Sequence, residues 1–246
     1  MPLQCSFELS PSAVHIWPLR TEASDDVAAV AERVLAADEM NRAAKFGFHK
    51  LRQSFVITRG VLRHLLGRYL RLQPADIEFV YGSKGKPAIT SAAGLQFNLA
   101  HSNGMAVIAI AADCQIGVDL EYMRPIPDMQ YLAQRFFCAE EAAELMSLLP
   151  SERQGAFFRC WTRKEADLKA IGDGLSAPLN AYRVTVRPND PARLIHLGHD
   201  RAADEAWTLH DLFLAPNYAA ALAYRDEARF LTVLPIVSGR ELLAAE

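Results

Sequence analysis

The chain has 246 residues, 51% of them apolar and 22% charged, with a formal net charge of −3. That length allows one large domain or two small ones around a substantial core. The near-neutral charge excludes a bulk electrostatic attraction to nucleic acid or an anionic membrane, and the longest strongly apolar run, Met105–Ala112, is too short to span a bilayer.

Residues 13–17 read as a strand closed by Pro18. Ala23 to Ala37 reads as a helix, acidic at its start and apolar at Val27, Val30, Val34 and Leu35. Arg52 to Leu70 is an amphipathic helix. Phe55, Leu62, Leu65, Leu66 and Tyr69 lie close to one stripe, while Arg52, Arg59, Arg63 and Arg68 fall mostly elsewhere. Strand-like segments follow at 77–81, 95–99 and 105–111.

The pattern then restarts. Residues 116–120 read as a strand, 131–137 and 140–149 as helices, and 156–171 as a second strong helix. Segments 183–186, 195–197, 206–213 and 218–223 read as strands. Each half thus holds a long helix and several strands. This predicts an α+β protein of two similar lobes, residues 1–112 and 113–246. The four cysteines (Cys5, Cys114, Cys138, Cys160) are scattered, with no Cys-x-x-Cys, which predicts a reduced, cytoplasmic protein. The opening residues lack a basic stretch followed by an apolar core, so no secretory leader is expected.

Two segments carry most of the chemistry: Gly117-Val118-Asp119-Leu120-Glu121, and Trp161 through Lys169. On a strand, Asp119 and Glu121 point to one face. Like charges so close are costly unless a cation or hydrogen bonds compensate them. A magnesium ion with oxygen ligands would do so; a solvated strand end is the competing reading. On the helix, Phe158, Trp161, Glu165 and Leu168 share a face, with Lys169 four residues beyond Glu165. An exposed Glu165–Lys169 pair is the plainer alternative.

Gly85-Lys86-Pro87 is not a Walker loop, because the spacing from Gly82 is short and proline follows the lysine. It is either an ordinary turn or one that brings backbone and an ammonium to a nucleotide. His101, at a strand-to-loop junction in Phe97-Asn98-Leu99-Ala100-His101-Ser102, could hydrogen-bond a phosphate or be structural. His196, His199 and His210 have no companion at zinc-ligand spacing and are read as surface or core residues.

In order and spacing these elements resemble the Sfp-type 4′-phosphopantetheinyl transferases. The matching residues are Gly85-Lys86-Pro87, Phe97 to Ser102, Gly117 to Glu121, and Trp161 through Lys169-Ala170, Gly172 and Gly174-Leu175. The helix around Arg52 to Arg63 and the Arg135-Phe136-Phe137 segment are also similar, so the likeness covers roughly residues 40–180. It implies a pseudo-dimer of two lobes with the active site in the cleft between them. It also implies an activity: magnesium-dependent transfer of phosphopantetheine from coenzyme A to a serine of an apo acyl or peptidyl carrier protein, releasing adenosine 3′,5′-bisphosphate.

The resemblance assigns roles position by position. Asp119, Glu121 and Glu165 would ligate Mg²⁺, and Glu165 or a water on the metal would take the serine proton. Lys169 would stabilise the leaving phosphate, and Lys164 would also reach the phosphates. Lys86 and Pro87 would border the adenine, Asn98 would line the coenzyme site and His101 would meet a phosphate. Arg52, then Arg59, would bind the 3′-phosphate. One departure stands out: Ala100 replaces the family's usual serine before the histidine. The lost hydroxyl is worth about 1 kcal/mol, enough to weaken coenzyme binding at most. The stretch Met123, Ile126, Met129 and Phe137 is the expected carrier contact. The coenzyme side is expected in the first lobe and the metal and catalytic helix in the second, in a monomer. The competing functions are a non-catalytic coenzyme A- or carrier-binding homologue, opposed by the full set of carboxylates and Lys169, and an unrelated magnesium-dependent phosphohydrolase, opposed by the lack of a second acidic metal site.

Overall fold

The computed structural model describes residues 7–82, 85–90, 94–172, 178–195 and 207–244. Cys5, Gly174, Leu175, His196, Leu197, His199 and Ala206 lie outside the described residues.

The chain runs β1 (Ala13–Arg20), α1 (Asp25–Glu32), α2 (Ala37–Ala43) and α3 (His49–Leu70). The hairpin β2–β3 (Phe79–Tyr81, Pro87–Ile89) and the antiparallel pair β4–β5 (Leu95–Ser102, Met105–Ala112) follow. The series then repeats element for element. It comprises β6 (Ile116–Tyr122), α4 (Met129–Phe136), α5 (Ala139–Ser147), α6 (Pro150–Ile171), the ladder β7–β8 (Arg183–Val184, Leu194–Ile195) and the pair β9–β10 (Trp207–Asp211, Tyr218–Arg225). The long helices α3 and α6 each have 22 residues. Strand order repeats as well, β1-β5-β4 in one sheet and β6-β10-β9 in the other. The protein is an α+β pair of similar lobes, the arrangement that the restarting pattern predicts.

The last segment departs from that expectation. β11 (Phe230–Val233) and β12 (Val237–Ser238) both pair parallel with β1, and α7 (Gly239–Ala244) places Leu242 and Leu243 in the first lobe's core. The tail therefore belongs with the first sheet, although the sequence division counts it with the second lobe. The open edge of β1 accounts for this, since an unpaired strand edge recruits a partner. The same edge explains why Pro18 does not end β1. Ile16 O accepts from Leu234 N, so residues of that parity turn their backbone towards β11 and β12. The missing N–H of Pro18 then falls opposite the break between these two strands, where no ladder bond is lost.

Three apolar layers hold the lobes together. On one face of the first sheet, Trp17, Leu19, Ile108 and Ile110 pack under α3 with Leu62 and Leu66. In the second lobe, Ala219, Ala221 and Ala223 pack with Ala166 and Ala170 of α6. The remaining faces of both sheets share a third layer, with Val14, Ile16 and Val107 against Val118, Leu120 and Leu222. Strands β1, β5 and β10 are apolar on both faces, as strands enclosed on two sides must be.

The 23–37 helix is shorter than its periodicity suggests. It ends at Glu32, and the chain restarts as α2, with Glu39 reaching back to accept from Ala36 N at 2.9 Å. Glu39 also resolves the placement of Arg59 and Arg63. Both arginines are buried, and each donates Nε to one Glu39 oxygen at 2.6 Å. They are interior charges held by a carboxylate, and not the solvent face of an amphipathic helix.

Candidate active site between the lobes

The site begins with Gly117. Alternate residues of β6 (Gly117, Asp119, Glu121) share one face, away from Val118 and Leu120 in the shared apolar layer. A Cβ on Gly117 would lie 2.1 Å from Ala166 O and 2.3 Å from Ala170 N. Only glycine lets the strand cross directly on the backbone of α6. Past that crossing, Asp119 and Glu121 emerge opposite Glu165 and Lys169. All four line one cavity of about 380 Å³, with Trp161, His101 and Ala100. A larger cavity of about 500 Å³ shares Leu99, His101, Glu165 and Lys169 with it. Its other walls come from both lobes: Arg42, Phe46, Phe55, Thr58, Arg59, Gly85, Lys86, Pro87 and Asn98 from the first, Leu168 and Gly172 from the second.

The lobes meet along β4 and β6 through side chains. Asn98 Oδ1 accepts from Val118 N at 3.0 Å, and Ser102 Oγ accepts from Tyr122 N at 3.0 Å. Both bridges span the same sequence offset, so the strands run side by side in the same sense. Ser102 Oγ also donates to Glu121 Oε2 at 3.1 Å, which orients that carboxylate. Ala100 lies between the two bridging residues, buried in the shared layer and at the rim of the smaller cavity.

Asp119 is 5% exposed. Its Oδ1 takes the Lys169 ammonium at 2.6 Å, while its buried Oδ2 has no hydrogen-bond partner. Lys169 therefore crosses to the strand, and its ion pair is with Asp119 rather than with Glu165 one turn away. Burial raises the pKa of Glu165, and the Asp119 charge raises it further, against Lys169, which lowers it. Glu121 is raised by the same two causes, burial first. For His101, burial and then the charges of Lys169 and Arg42 lower the pKa and favour the neutral ring.

Among the described residues, no three His, Cys, Asp or Glu side chains already converge as a metal cage. The donor set still suits magnesium, which keeps several waters and uses one or two carboxylates together with substrate phosphates. An orphaned carboxylate oxygen and two further carboxylates of raised pKa, beside an ammonium paired with the first, fit a site that takes a divalent cation.

Several sequence assignments move. Lys164 does not face the cavity: it is fully buried, pairs with Glu141 at 2.8 Å and donates to Leu179 O and Tyr182 O. Its neighbour in sequence, Glu165, occupies the cleft face, so the helix turn carries Lys164 into the core. Arg52 pairs with Glu32 at 2.5 Å and is absent from the cavity wall. Arg59 reaches the wall, but its guanidinium is held by Glu39 and Tyr81 Oη. Lys86 also lines the wall, yet its ammonium is turned onto backbone carbonyls. Phe137 is buried, so of the expected carrier contacts only Met123, Ile126 and Met129 are partly accessible. Sequence reading missed Arg42. It lies exposed at the cavity mouth over the Phe55 ring, 5.5 Å from its centroid, without an ion pair among the described residues. Arg42 is carried by α2, and the sequence reading assigns no element between Ala37 and Arg52.

No helix among the described residues is long and apolar enough to cross a membrane. Two family models cover most of the chain. Residues 115–223 match the 4′-phosphopantetheinyl transferase superfamily, and residues 22–114 match the N-terminal 4′-phosphopantetheinyl transferase family. The 4′-phosphopantetheinyl transferase psf-1 of Bacillus pumilus is 32% identical over 68% of this chain and 69% of its own length. A holo-(acyl-carrier-protein) synthase from Bacillus anthracis, solved in complex with CoA (3′,5′-ADP), matches with a TM-score of 0.38 and 19% identity, covering 45% of this chain and 94% of that one. The 4′-phosphopantetheinyl transferase HetI of Nostoc sp. is 38% identical over 91% of this chain and 92% of its own length. An identity of that size across nearly the whole of both chains, together with the two family models, establishes that this chain belongs to the 4′-phosphopantetheinyl transferase superfamily.

Proposed function

We propose that the cleft transfers the 4′-phosphopantetheine arm of coenzyme A to a serine hydroxyl of an apo acyl or peptidyl carrier protein. The observation that carries this reading is the sharing of one wall by two cavities. Glu165, Lys169 and His101 belong both to the acidic cavity and to the larger, basic and apolar one. A nucleotide with a pyrophosphate fits that pairing. The base would lie against Pro87 and the hairpin turn, the phosphates would face Arg42 and His101, and the pyrophosphate would reach the carboxylates.

In the step itself the serine oxygen forms a bond to the β-phosphorus, and the phosphoanhydride bond to the α-phosphate breaks. The leaving group departs as adenosine 3′,5′-bisphosphate. Glu165 takes the serine proton, a role suited to a carboxylate of raised pKa. Lys169 stabilises the charge that develops on the leaving phosphate. Asp119, Glu121 and Glu165 would hold magnesium, which supplies charge neutralisation on the pyrophosphate. His101 donates to a phosphate as a neutral ring.

The division into a coenzyme-side lobe, 1–112, and a metal-side lobe, 113–225, with the tail returned to the first sheet, is supported by the meeting of the two family models at residues 114 and 115. Both lobes lie in one chain, so the cleft needs no second copy, which favours a monomer. Met123, Ile126 and Met129, partly buried on the segment leaving β6, offer apolar surface next to Glu121 for a carrier helix.

The test mixes the protein with apo-carrier, coenzyme A and Mg²⁺ and records the carrier's mass. A phosphopantetheine adduct that is lost on chelation is expected. Absence of the adduct across a panel of acyl and peptidyl carriers would overturn the proposal, and hydrolysis of coenzyme A without a carrier would replace it by a phosphohydrolase.

A further inference from the structure

Lys86 enters from the first lobe, directly after Gly85, whose φ of +79° turns the chain into β3. Its side chain ends on the backbone of the second lobe. Nζ donates to Lys169 O at 2.5 Å, to Ile116 O at 3.1 Å and to Ala170 O at 3.3 Å. An ammonium has three protons to give, and three carbonyls are within reach.

Two of these carbonyls belong to the last turn of α6. Carbonyls there have no partner within the helix, and the helix dipole makes that end negative. α6 closes on Gly172 in the left-handed conformation, and Gly172 N bonds back to Leu168 O. The Lys86 stem passes this cap, its Cδ 3.8 Å from where a Gly172 Cβ would stand. The third carbonyl, on Ile116, opens the strand that carries Asp119 and Glu121. One side chain thus joins the hairpin at the coenzyme cavity, the end of α6 and the start of β6.

Lys169 leaves that same helical turn for Asp119. Its own carbonyl is the shortest of the Lys86 bonds, so the backbone from which the Lys169 side chain departs is fixed by a residue of the opposite lobe. Burial without a carboxylate lowers Lys86 to about 8, which leaves it charged at neutral pH. The ammonium is therefore committed to the helix end.

We propose that Lys86 is a positioning residue that caps α6 from across the cleft and so sets where Lys169 stands relative to the reacting phosphates. This rests on the transfer reading given above. It also makes the hairpin more than a wall for the coenzyme, because a displacement of the turn at Gly85 is passed to the end of α6 through one side chain.

Lys86→Met keeps the length of the side chain and removes its charge and donors. Amide hydrogen exchange of residues 168–172, followed without substrate, is expected to speed up by about tenfold, the factor expected for losing roughly one net hydrogen bond. In the transfer assay kcat is expected to fall by a similar factor, about tenfold, with KM for coenzyme A within about threefold. In a Lys169→Ala background, Lys86→Met is expected to change kcat no further, because the residue through which it acts is gone. Unchanged exchange, or a raised KM with normal kcat, would overturn the proposal, the latter by making Lys86 a coenzyme ligand. Full additivity with Lys169→Ala would overturn it too. If Lys86→Met does not fold, Lys86→Leu, which also removes the charge and the donors, carries the same expectations. Wild-type protein without transfer activity would instead overturn the functional reading, since the exchange measurement needs no catalysis.

Discussion

Lys169 Nζ lies 2.6 Å from Asp119 Oδ1, so a side chain of the protein supplies the positive charge at the mouth of the carboxylate cluster. Lys169 and an incoming divalent cation compete for that oxygen, while Asp119 Oδ2 lacks a partner. Lys169→Ala should therefore have two opposite effects. Magnesium or manganese should bind more tightly in the absence of coenzyme, as read by titration calorimetry. Transfer should lose about 10²-fold in kcat with little change in KM, because the ammonium matters most as the leaving phosphate departs. Weaker metal binding in the variant would show that Lys169 does not compete for the site.

Glu165 is held above the ordinary carboxylate range by burial first and by Asp119 second. Glu165→Gln keeps the volume and removes both ligand and base. It should cost about 10²-fold or more in transfer while the fold persists. The sign of its stability effect follows from linkage. Without metal, the folded protein keeps a proton on Glu165 at pH values where the unfolded chain has released it. Stability therefore falls as pH rises from the ordinary carboxylate pKa through the raised one. Denaturant unfolding in chelator at pH 5 and pH 8 should show a smaller pH slope in Glu165→Gln than in the wild type, and an unchanged slope would contradict it.

The cleft was legible in the sequence where local geometry determines which way a side chain points. Two-residue spacing on a strand placed Asp119 and Glu121 together, and helical spacing brought Glu165 and Lys169 to the same side. The repeated order of strand and long helix gave the two lobes. What escaped was set by tertiary pairing. The charges of Arg59, Arg63 and Lys164 are interior because Glu39 and Glu141 meet them there, which helical periodicity cannot show. The tail joined the first sheet because β1 had a free edge, a fact about its neighbours and not about residues 230–244.

Lys164 offers a test of that distinction. It is sealed against Glu141, whose carboxylate also accepts from Cys138 N and Val184 N. Lys164→Met would leave a buried carboxylate without its cation, and it should cost about 3–5 kcal/mol in denaturant unfolding. The surviving protein should bind coenzyme A as the wild type does. A raised KM without loss of stability would return Lys164 to the phosphates.

Arg42 and Arg52 separate in the same way. Arg42 faces the larger cavity over Phe55 and has no ion pair among the described residues, whereas Arg52 is engaged by Glu32. Arg42→Ala should raise KM for coenzyme A by about tenfold or more, the scale of one charge-assisted hydrogen bond. Arg52→Ala should leave KM within about twofold and cost less than about 1 kcal/mol of stability, as a half-exposed pair does. Dephospho-coenzyme A should lose the difference between Arg42→Ala and the wild type if Arg42 meets the 3′-phosphate. An Arg42→Ala effect that persists with the dephosphorylated substrate would place it on the pyrophosphate instead.

His101 gives the last test, and it needs no turnover. Burial, then Lys169 and Arg42, lower its pKa in the free protein. A bound phosphate beside the ring brings negative charge to where two cations now act, so adenosine 3′,5′-bisphosphate should raise that pKa. Binding must then take up a proton over the interval between the two values. Affinity should accordingly grow as pH falls through that interval. Calorimetry in two buffers of different ionisation heat reads the uptake directly. His101→Gln, which keeps a hydrogen-bond donor but cannot be protonated, should abolish the uptake while retaining part of the affinity. If the uptake is the same in wild type and variant, the proton belongs to the ligand's own phosphate, and His101 does not meet it.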